Sequence, residues 1–300
     1  MIKRLTLILL ATWLTLHASA QANVHHDVYP RTSVDKDISA SGSRAPLVVL
    51  IHGWSCDSSY WSAQLPALRE HFDVVTVDLA GHGKTPATRT DFSMHSFGRD
   101  VVDVVAQLPT DQPIILVGHS MGGPVAVEAA VLLGERVRGV IGVDTFASIG
   151  TPKPSEAETT ARLAAFERDF SGTTRAFVSQ SFFRADADPI LRERIANDMA
   201  SADPKVALPS IRGLNDWDGT QRLPLLKQPI ATINADQVTL DAARLQRYAP
   251  SFKLITLAGQ GHFLMMENPA RFNPVLIDTI RTMLNRDRSN DQRVDVSASR

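Results

Sequence analysis

Residues 114–133, IILVGHSMGGPVAVEAAVLL, contain a short apolar run, a glycine-rich turn and a long stretch with helical character. The apolar run is typical of a buried strand, and the stretch after the turn is typical of a helix. Between them, Gly118-His119-Ser120-Met121-Gly122 matches the pattern G-x-S-x-G in its expected context. A strand that leads through a tight turn into a helix is the repeating unit of α/β proteins, so this stretch predicts that fold class.

The same alternation extends in both directions from this unit. Apolar runs rich in valine and isoleucine predict buried strands at residues 47–51, 74–79, 114–117, 137–143, 230–233 and 252–257. Helix-like stretches lie at residues 61–70, 94–108, 122–133 and 269–284. Strands that alternate with helices predict a mostly parallel central sheet with helices on both faces.

Residues 149–223 interrupt this alternation, because helical stretches such as 155–170 and 189–199 occur there without an apolar strand. They predict an inserted helical cap, with the core of the fold formed by residues 23–148 and 224–284. The cap contains five of the twelve phenylalanines, which either pack the insert against the sheet or line an apolar pocket: Phe166, Phe170, Phe177, Phe182 and Phe183. Within the core, residues 23–45 indicate only a possible irregular hairpin. The polar residues 285–300 are expected to form a disordered tail.

Charge and the N-terminus limit the classes of function. The chain has 31 basic and 32 acidic residues, a net charge of −1, so we expect no nucleic-acid partner. Residues 1–22 have basic residues, an apolar run and then small residues, which is the pattern of a secretory signal peptide cleaved after Ala20 or Ala22. The apolar run is shorter than the roughly 20 residues that span a bilayer. The sequence therefore predicts an exported protein, periplasmic or extracellular, without a stable membrane span after cleavage; it sets no oligomeric state.

Ser120 is the candidate nucleophile. Glycines two residues before and two residues after it leave room for a strained turn that projects the hydroxyl from the edge of the sheet. The start of the next helix presents free backbone N–H groups, so the Met121 amide is one candidate donor to an oxyanion. The other is the Trp54 amide, which follows His52 and Gly53 in the loop after the strand at residues 47–51.

A serine hydroxyl needs a neighbouring base, and a carboxylate should orient that base. His262 is the candidate base, because it lies in a glycine-rich loop just after the strand at residues 252–257. Asp236, after the strand at residues 230–233, is the first choice for the carboxylate. Asp144, at the end of the strand at residues 137–143, is the alternative acid; Asp241 is a third candidate but suits a helix start better. No H-E-x-x-H and no Cys/His cluster with zinc spacing occurs, so neither a metal nor a cofactor is expected.

Four motifs follow one another along the chain: His52-Gly53-Trp54, residues 78–85 (DLAGHGKT), the Ser120 turn, and Gly261-His262. Together they resemble the α/β-hydrolase superfamily over residues 46–284, and the order Ser, Asp, His is that of the family. The resemblance implies the α/β-hydrolase fold with a Ser-His-Asp triad, and it implies that Asp78 and His82 are scaffold residues.

The sequence therefore predicts an exported serine hydrolase. Its substrate would be a small carboxylic ester, lactone or related acyl compound with an apolar part, cleaved through an acyl-enzyme. Thioesterase, perhydrolase, C–C hydrolase and lyase activities use the same residues and remain alternatives. A ligand-binding receptor that keeps the fold but has little turnover is the alternative from another class.

Overall fold

The computed structural model describes residues 23–32, 46–108 and 112–297, with side chains described as far as residue 285. The described strands form one seven-stranded sheet. They are β1 (His26–Tyr29), β2 (Leu47–Ile51), β3 (Asp73–Val77), β4 (Ile114–His119), β5 (Val137–Val143), β6 (Ile230–Ala235) and β7 (Lys253–Leu257). Residues 1–22, which hold the predicted signal peptide, lie outside the described residues.

The helices of the core are α1 (Leu65–Arg69), α2 (Met94–Gln107), α3 (Gly122–Leu133), α9 (Ala242–Gln246), α10 (Leu264–Glu267) and α11 (Pro269–Ser297). Between β5 and β6 lie α4 (Glu156–Arg168), α5 (Phe170–Ser181), α6 (Pro189–Met199), α7 (Pro204–Asp216) and α8 (Gly219–Arg222). Helices α2 and α3 pack together, and α3 covers β2, β4 and β5; α11 packs on β5 and against α1.

The strands have the order β1-β3-β2-β4-β5-β6-β7. β1 pairs with β3 antiparallel, and the other neighbours pair parallel. Ile51 of β2 is in register with Gly118 of β4, and Val143 of β5 is in register with both His119 and Ile233. The loops that follow β2, β4, β5 and β6 therefore start at one edge of the sheet.

The structure confirms the α/β architecture and the six predicted strands. Every residue of β2 and β4 is buried, as expected for strands covered on both faces. β1 is a strand that sequence reasoning did not resolve: the described part of residues 23–45 contains this one short strand, paired with the distant β3.

The cap helices begin at residues that supply a side-chain acceptor to the first turn. Ser155 and Glu158 form a capping box at α4. Asp169, Asp188 and Asp203 cap α5, α6 and α7 in the same way. Helices α5 and α7 were not predicted, although Asp203-Pro204 is a typical start signal with proline at the first helical position.

Helix α11 extends beyond residue 284, where sequence analysis places the end of the last core helix. The structure continues its backbone through residues 285–297, as far as Ser297. Neither glycine nor proline occurs in this segment to stop the helix. No helix among the described residues is long and apolar enough to cross a membrane.

Candidate active site

Ser120 stands at the turn between β4 and α3, and its φ of 51° lies in the left-handed region. A Cβ on Gly118 would lie 2.0 Å from the Gly122 carbonyl oxygen, and a Cβ on Gly122 would lie 2.6 Å from the carbonyl oxygens of Ile51 and His52. Both glycines are therefore required for the chain to turn so sharply against β2. The turn is strained backbone held by its surroundings, as sequence reasoning expected around a nucleophile.

His262 lies at the same edge of the sheet, in the loop between β7 and α10. Its Nδ1 is 2.6 Å from Oδ2 of Asp144, and its side chain is 14% exposed against 12% for Asp144. The imidazole also stacks on the Phe182 ring, with 4.2 Å between centroids and 26° between planes. Because Nδ1 is occupied by Asp144, Nε2 is the nitrogen left for a proton from a nucleophile.

The structure corrects the choice of carboxylate: Asp144, the alternative acid, is the partner of His262, and Asp236 is not. Asp144 follows β5 with a φ of 45°, and its Oδ1 accepts the Ala235 N–H at 2.9 Å. The Asp236 carboxylate accepts the Gly259 N–H at 2.9 Å and pairs with Arg184 at 3.4 Å, and it is 38% exposed. The reason is the strand order, which places β5 between β4 and β6 and so brings the end of β5 beside Ser120.

The third candidate carboxylate has the role that sequence reasoning gave it. Asp241 accepts the Arg244 N–H at 3.2 Å and caps α9.

The loop with Trp54 lies directly against the serine turn. A Cβ on Gly53 would lie 3.2 Å from the Ser120 Cβ. His52 Nε2 accepts the Leu79 N–H at 3.1 Å, so its proton is on Nδ1, which donates to the Gly53 carbonyl at 2.8 Å. Burial lowers the pKa of His52, which keeps the ring neutral in this structural role.

The two candidate oxyanion donors flank the serine from different elements. Met121 directly precedes α3, where backbone N–H groups lack a partner within the helix. Trp54 is buried, and its indole N–H donates to the Ala207 carbonyl of α7 at 2.7 Å, which ties this loop to the cap.

Asp78 has the contacts of a scaffold residue. Its carboxylate accepts the Ser58 and Lys84 N–H groups at 2.8 and 2.9 Å, and its carbonyl accepts the Thr85 hydroxyl. His82 is buried, and burial lowers its pKa to about 3. Cys56 is also buried, and burial raises the pKa of its thiol well above the ordinary value.

Ser120, Asp144 and His262 line one cavity of about 720 Å³. The cap contributes much of its wall, which combines polar residues such as Thr151, Asn215 and Gln237 with apolar ones: Phe146, Ile149, Phe182, Leu214, Trp217 and Val238. Among the described residues that line this cavity, Phe182 is the single one of the five cap phenylalanines. Phe166 and Phe170 instead pack edge-on against Trp54, with ring centroids 6.0 and 6.1 Å away. Within the described ranges, no group of three or more His, Cys, Asp or Glu side chains is arranged to hold a metal ion.

Residues 48–275 match the family model described as the alpha/beta hydrolase family. The chain belongs to this family. The match includes the Ser120 turn, Asp144 and His262. This α/β-hydrolase also resembles two solved structures. They are an enol-lactonase from Burkholderia xenovorans (TM-score 0.73, 21% identity, 86% of this chain and 96% of that one) and a thermophilic esterase from Thermogutta terrifontis (TM-score 0.72, 22% identity, 87% and 93%).

Two curated proteins extend the comparison. The "Putative carbamate hydrolase RutD" of Stutzerimonas stutzeri is 27% identical over 267 residues, which cover 85% of this chain and 96% of that protein. The biotin biosynthesis bifunctional protein BioHC of Cellvibrio japonicus is 43% identical over 96 residues, which cover 32% of this chain and only 18% of that protein.

Two residues beside His262 were not anticipated from the sequence. Phe182 was one of five cap phenylalanines with no distinguishing signal. Glu267 sits on the short helix α10 and contacts the His262 loop, yet in the sequence it is an ordinary glutamate at the end of the apolar run at residues 263–266.

Proposed function

We propose that this α/β-hydrolase is an exported serine hydrolase that cleaves carboxylic esters or lactones with an apolar part. The observation that carries the proposal is the His262–Asp144 pair, 2.6 Å apart, in a cavity that also contains Ser120. The apolar residues of the cavity wall, among them Phe146, Phe182 and Trp217, support a substrate with an apolar portion. The esterase and the enol-lactonase that share the fold are consistent with this substrate class.

In the first half of the proposed reaction, Ser120 Oγ attacks the carbonyl carbon and its proton passes to His262 Nε2. Asp144 stabilises the imidazolium, and the Trp54 and Met121 amides donate to the oxyanion. The bond from the carbonyl carbon to the alcohol oxygen then breaks, and His262 returns its proton to that oxygen. The alcohol leaves, and Ser120 carries the acyl group.

In the second half, water gives a proton to His262 Nε2 while its oxygen attacks the acyl carbon. The bond to Ser120 Oγ breaks, and Oγ takes the proton back from His262. The sum is one ester and one water converted to one acid and one alcohol. A lactone follows the same steps, except that the acid and the alcohol remain in one molecule.

Intact-mass analysis of the purified protein before and after treatment with a fluorophosphonate tests this proposal. The wild type should gain one adduct, and Ser120→Ala should gain none. Ser148→Ala is the matched control, since Ser148 lines the same cavity without standing at the turn, and it should be labelled like the wild type. A folded wild type that resists the reagent and shows no sustained turnover on an ester panel would refute the proposal and favour the ligand-binding alternative.

The same mass measurement tests export. A mature mass that lacks residues 1–20 or 1–22 in the secreted or periplasmic fraction is the expected result. Full-length protein retained in the cytoplasm would contradict this part of the proposal.

A further inference from the structure

His262 belongs to a short loop, residues 261–263, whose backbone is held by three side chains or backbone groups from other elements. We call it the base loop. The Glu267 carboxylate accepts the Gly261 N–H through Oε2 at 2.9 Å and the Phe263 N–H through Oε1 at 3.2 Å. These two amides belong to the residues directly before and after His262. The Glu267 side chain therefore binds the base loop on both sides of the imidazole.

The backbone of His262 itself has two further partners. Its N–H donates to the Phe182 carbonyl of the cap at 2.7 Å. Its carbonyl lies 3.0 Å from His119 Nε2. Burial lowers the pKa of His119 well below the ordinary value, so this ring is neutral and its single proton sits on Nε2, where it donates to the loop.

The space around Gly261 is a second observation that shows how closely the loop is surrounded. A Cβ at this position would lie 2.6 Å from the Phe182 carbonyl oxygen and 2.8 Å from Glu267 Oε1. The cap and the Glu267 carboxylate therefore both press against the residue that precedes His262.

The Phe182 carbonyl accepts the His262 N–H, and the Phe182 ring stacks on the imidazole, so both contacts hold His262 from the side of the cap. Contacts from the side of the core are therefore needed to keep the imidazole in its position. Glu267 is half-buried, and burial raises its pKa despite the two N–H donors. Burial of a carboxylate costs free energy, and here two hydrogen bonds offset that cost. The charged carboxylate offers two acceptor oxygens at once, one for each backbone N–H group.

We propose that Glu267 is a positioning residue for the base: its carboxylate clamps the Gly261 and Phe263 amides and thereby fixes the His262 imidazole between Asp144 and Ser120. The inference rests on the proposed serine-hydrolase function. Glu267 touches neither substrate nor a reacting atom, and it acts through the geometry of the base loop.

The test compares Glu267→Gln with the wild type and with Glu135→Gln. Glutamine keeps the size of the side chain but offers only one acceptor oxygen, and its NH2 group would face the second backbone N–H. Glu135 is exposed in the turn just before β5, at the opposite edge of the sheet, so Glu135→Gln makes the same change of charge far from the site. Concentrations of active sites are set by fluorophosphonate titration, so unfolded protein does not enter kcat.

Glu267→Gln should lower kcat by about 10- to 100-fold, with KM within about twofold of the wild type, because a displaced base slows proton transfer and leaves the pocket intact. The downfield proton resonance of the His262–Asp144 hydrogen bond, sharp in the wild type and in Glu135→Gln, should move or broaden. Gly261→Ala, whose Cβ would clash with the Phe182 carbonyl oxygen and with Glu267 Oε1, should reproduce both effects.

A titratable Glu267→Gln with wild-type kcat and an unchanged resonance overturns the inference while the proposed function stands. A wild type without fluorophosphonate labelling refutes the proposed function instead, and the resonance still reports whether Glu267 sets the imidazole.

Discussion

Asp144→Asn separates the two carboxylates that compete for the role of orienting acid. Asparagine has nearly the shape of aspartate, but only one of its two terminal atoms is an acceptor. In the structure both Asp144 oxygens accept: Oδ1 from the Ala235 N–H at 2.9 Å and Oδ2 from His262 Nδ1 at 2.6 Å. The substitution therefore satisfies only one of these two donors.

The size of the loss in kcat depends on which of the two donors, the Ala235 N–H or His262 Nδ1, loses its acceptor oxygen. If the asparagine oxygen stays with Ala235, the NH2 group faces His262 Nδ1 and forces the imidazole proton onto Nε2, where it blocks transfer from Ser120. The reverse orientation leaves two N–H groups facing each other near Ala235, at a cost of about 1–3 kcal/mol, or roughly 5- to 150-fold in the competent population. Loss of the negative charge beside the imidazolium adds to this. Together we expect kcat to fall by about 10³- to 10⁴-fold.

The assay is steady-state ester hydrolysis at neutral pH, with Asp236→Asn as the matched control. Asp236 is 38% exposed and its ion pair with Arg184 is at the surface, so kcat should stay within about threefold of the wild type. A folded Asp144→Asn enzyme within tenfold of the wild type would refute the reasoning. A loss of more than 100-fold in Asp236→Asn would do so equally.

Two further predictions concern stability and reactivity. Arg222 makes a bidentate ion pair with Glu128, which is 2% exposed and also bonded to Trp217 and His95. Arg222→Ala should lower the free energy of unfolding by about 3 kcal/mol at pH 7 in chemical denaturation, because it leaves a buried carboxylate short of its cation. Burial would raise the pKa of Glu128, but these hydrogen bonds outweigh it and lower the pKa. The stabilisation is therefore present above the ordinary carboxyl pKa of about 4.3 and lost as the pH falls through the lowered value, so the variant and the wild type should converge in acid; a constant gap would contradict this account. Cys56 should resist iodoacetamide at pH 8 in the folded protein and react after denaturation, as read by intact mass, because burial raises the pKa of its thiol; stoichiometric alkylation of the native protein would show that this thiol is accessible.

Much of the fold was predictable because it depends on sequence patterns within short segments. β2 and the start of β4 are buried on both faces, so each appears in the sequence as an uninterrupted block of valine, isoleucine and leucine. β5 is buried except at Arg138, and its apolar run is interrupted only by that residue and two glycines. β1 has a mixed burial pattern, and it is a strand because it pairs with β3, more than 40 residues later. No local sequence pattern predicts this pairing. Helix α5 buries Phe170, Thr174 and Val178 and packs against α4 and α6 of the cap.

By itself the sequence determined the strand–helix alternation, the sharp turn at Ser120 and the choice of His262, since each depends on residues within a few positions of one another. Only the tertiary structure decided that Asp144 rather than Asp236 meets His262, and that Glu267 and Phe182 enclose the base loop. The physical reason is that a carboxylate after β5 and one after β6 look alike along the chain. They differ only once the strand order has put β5 next to β4 and the base loop has crossed the edge of the sheet to reach it.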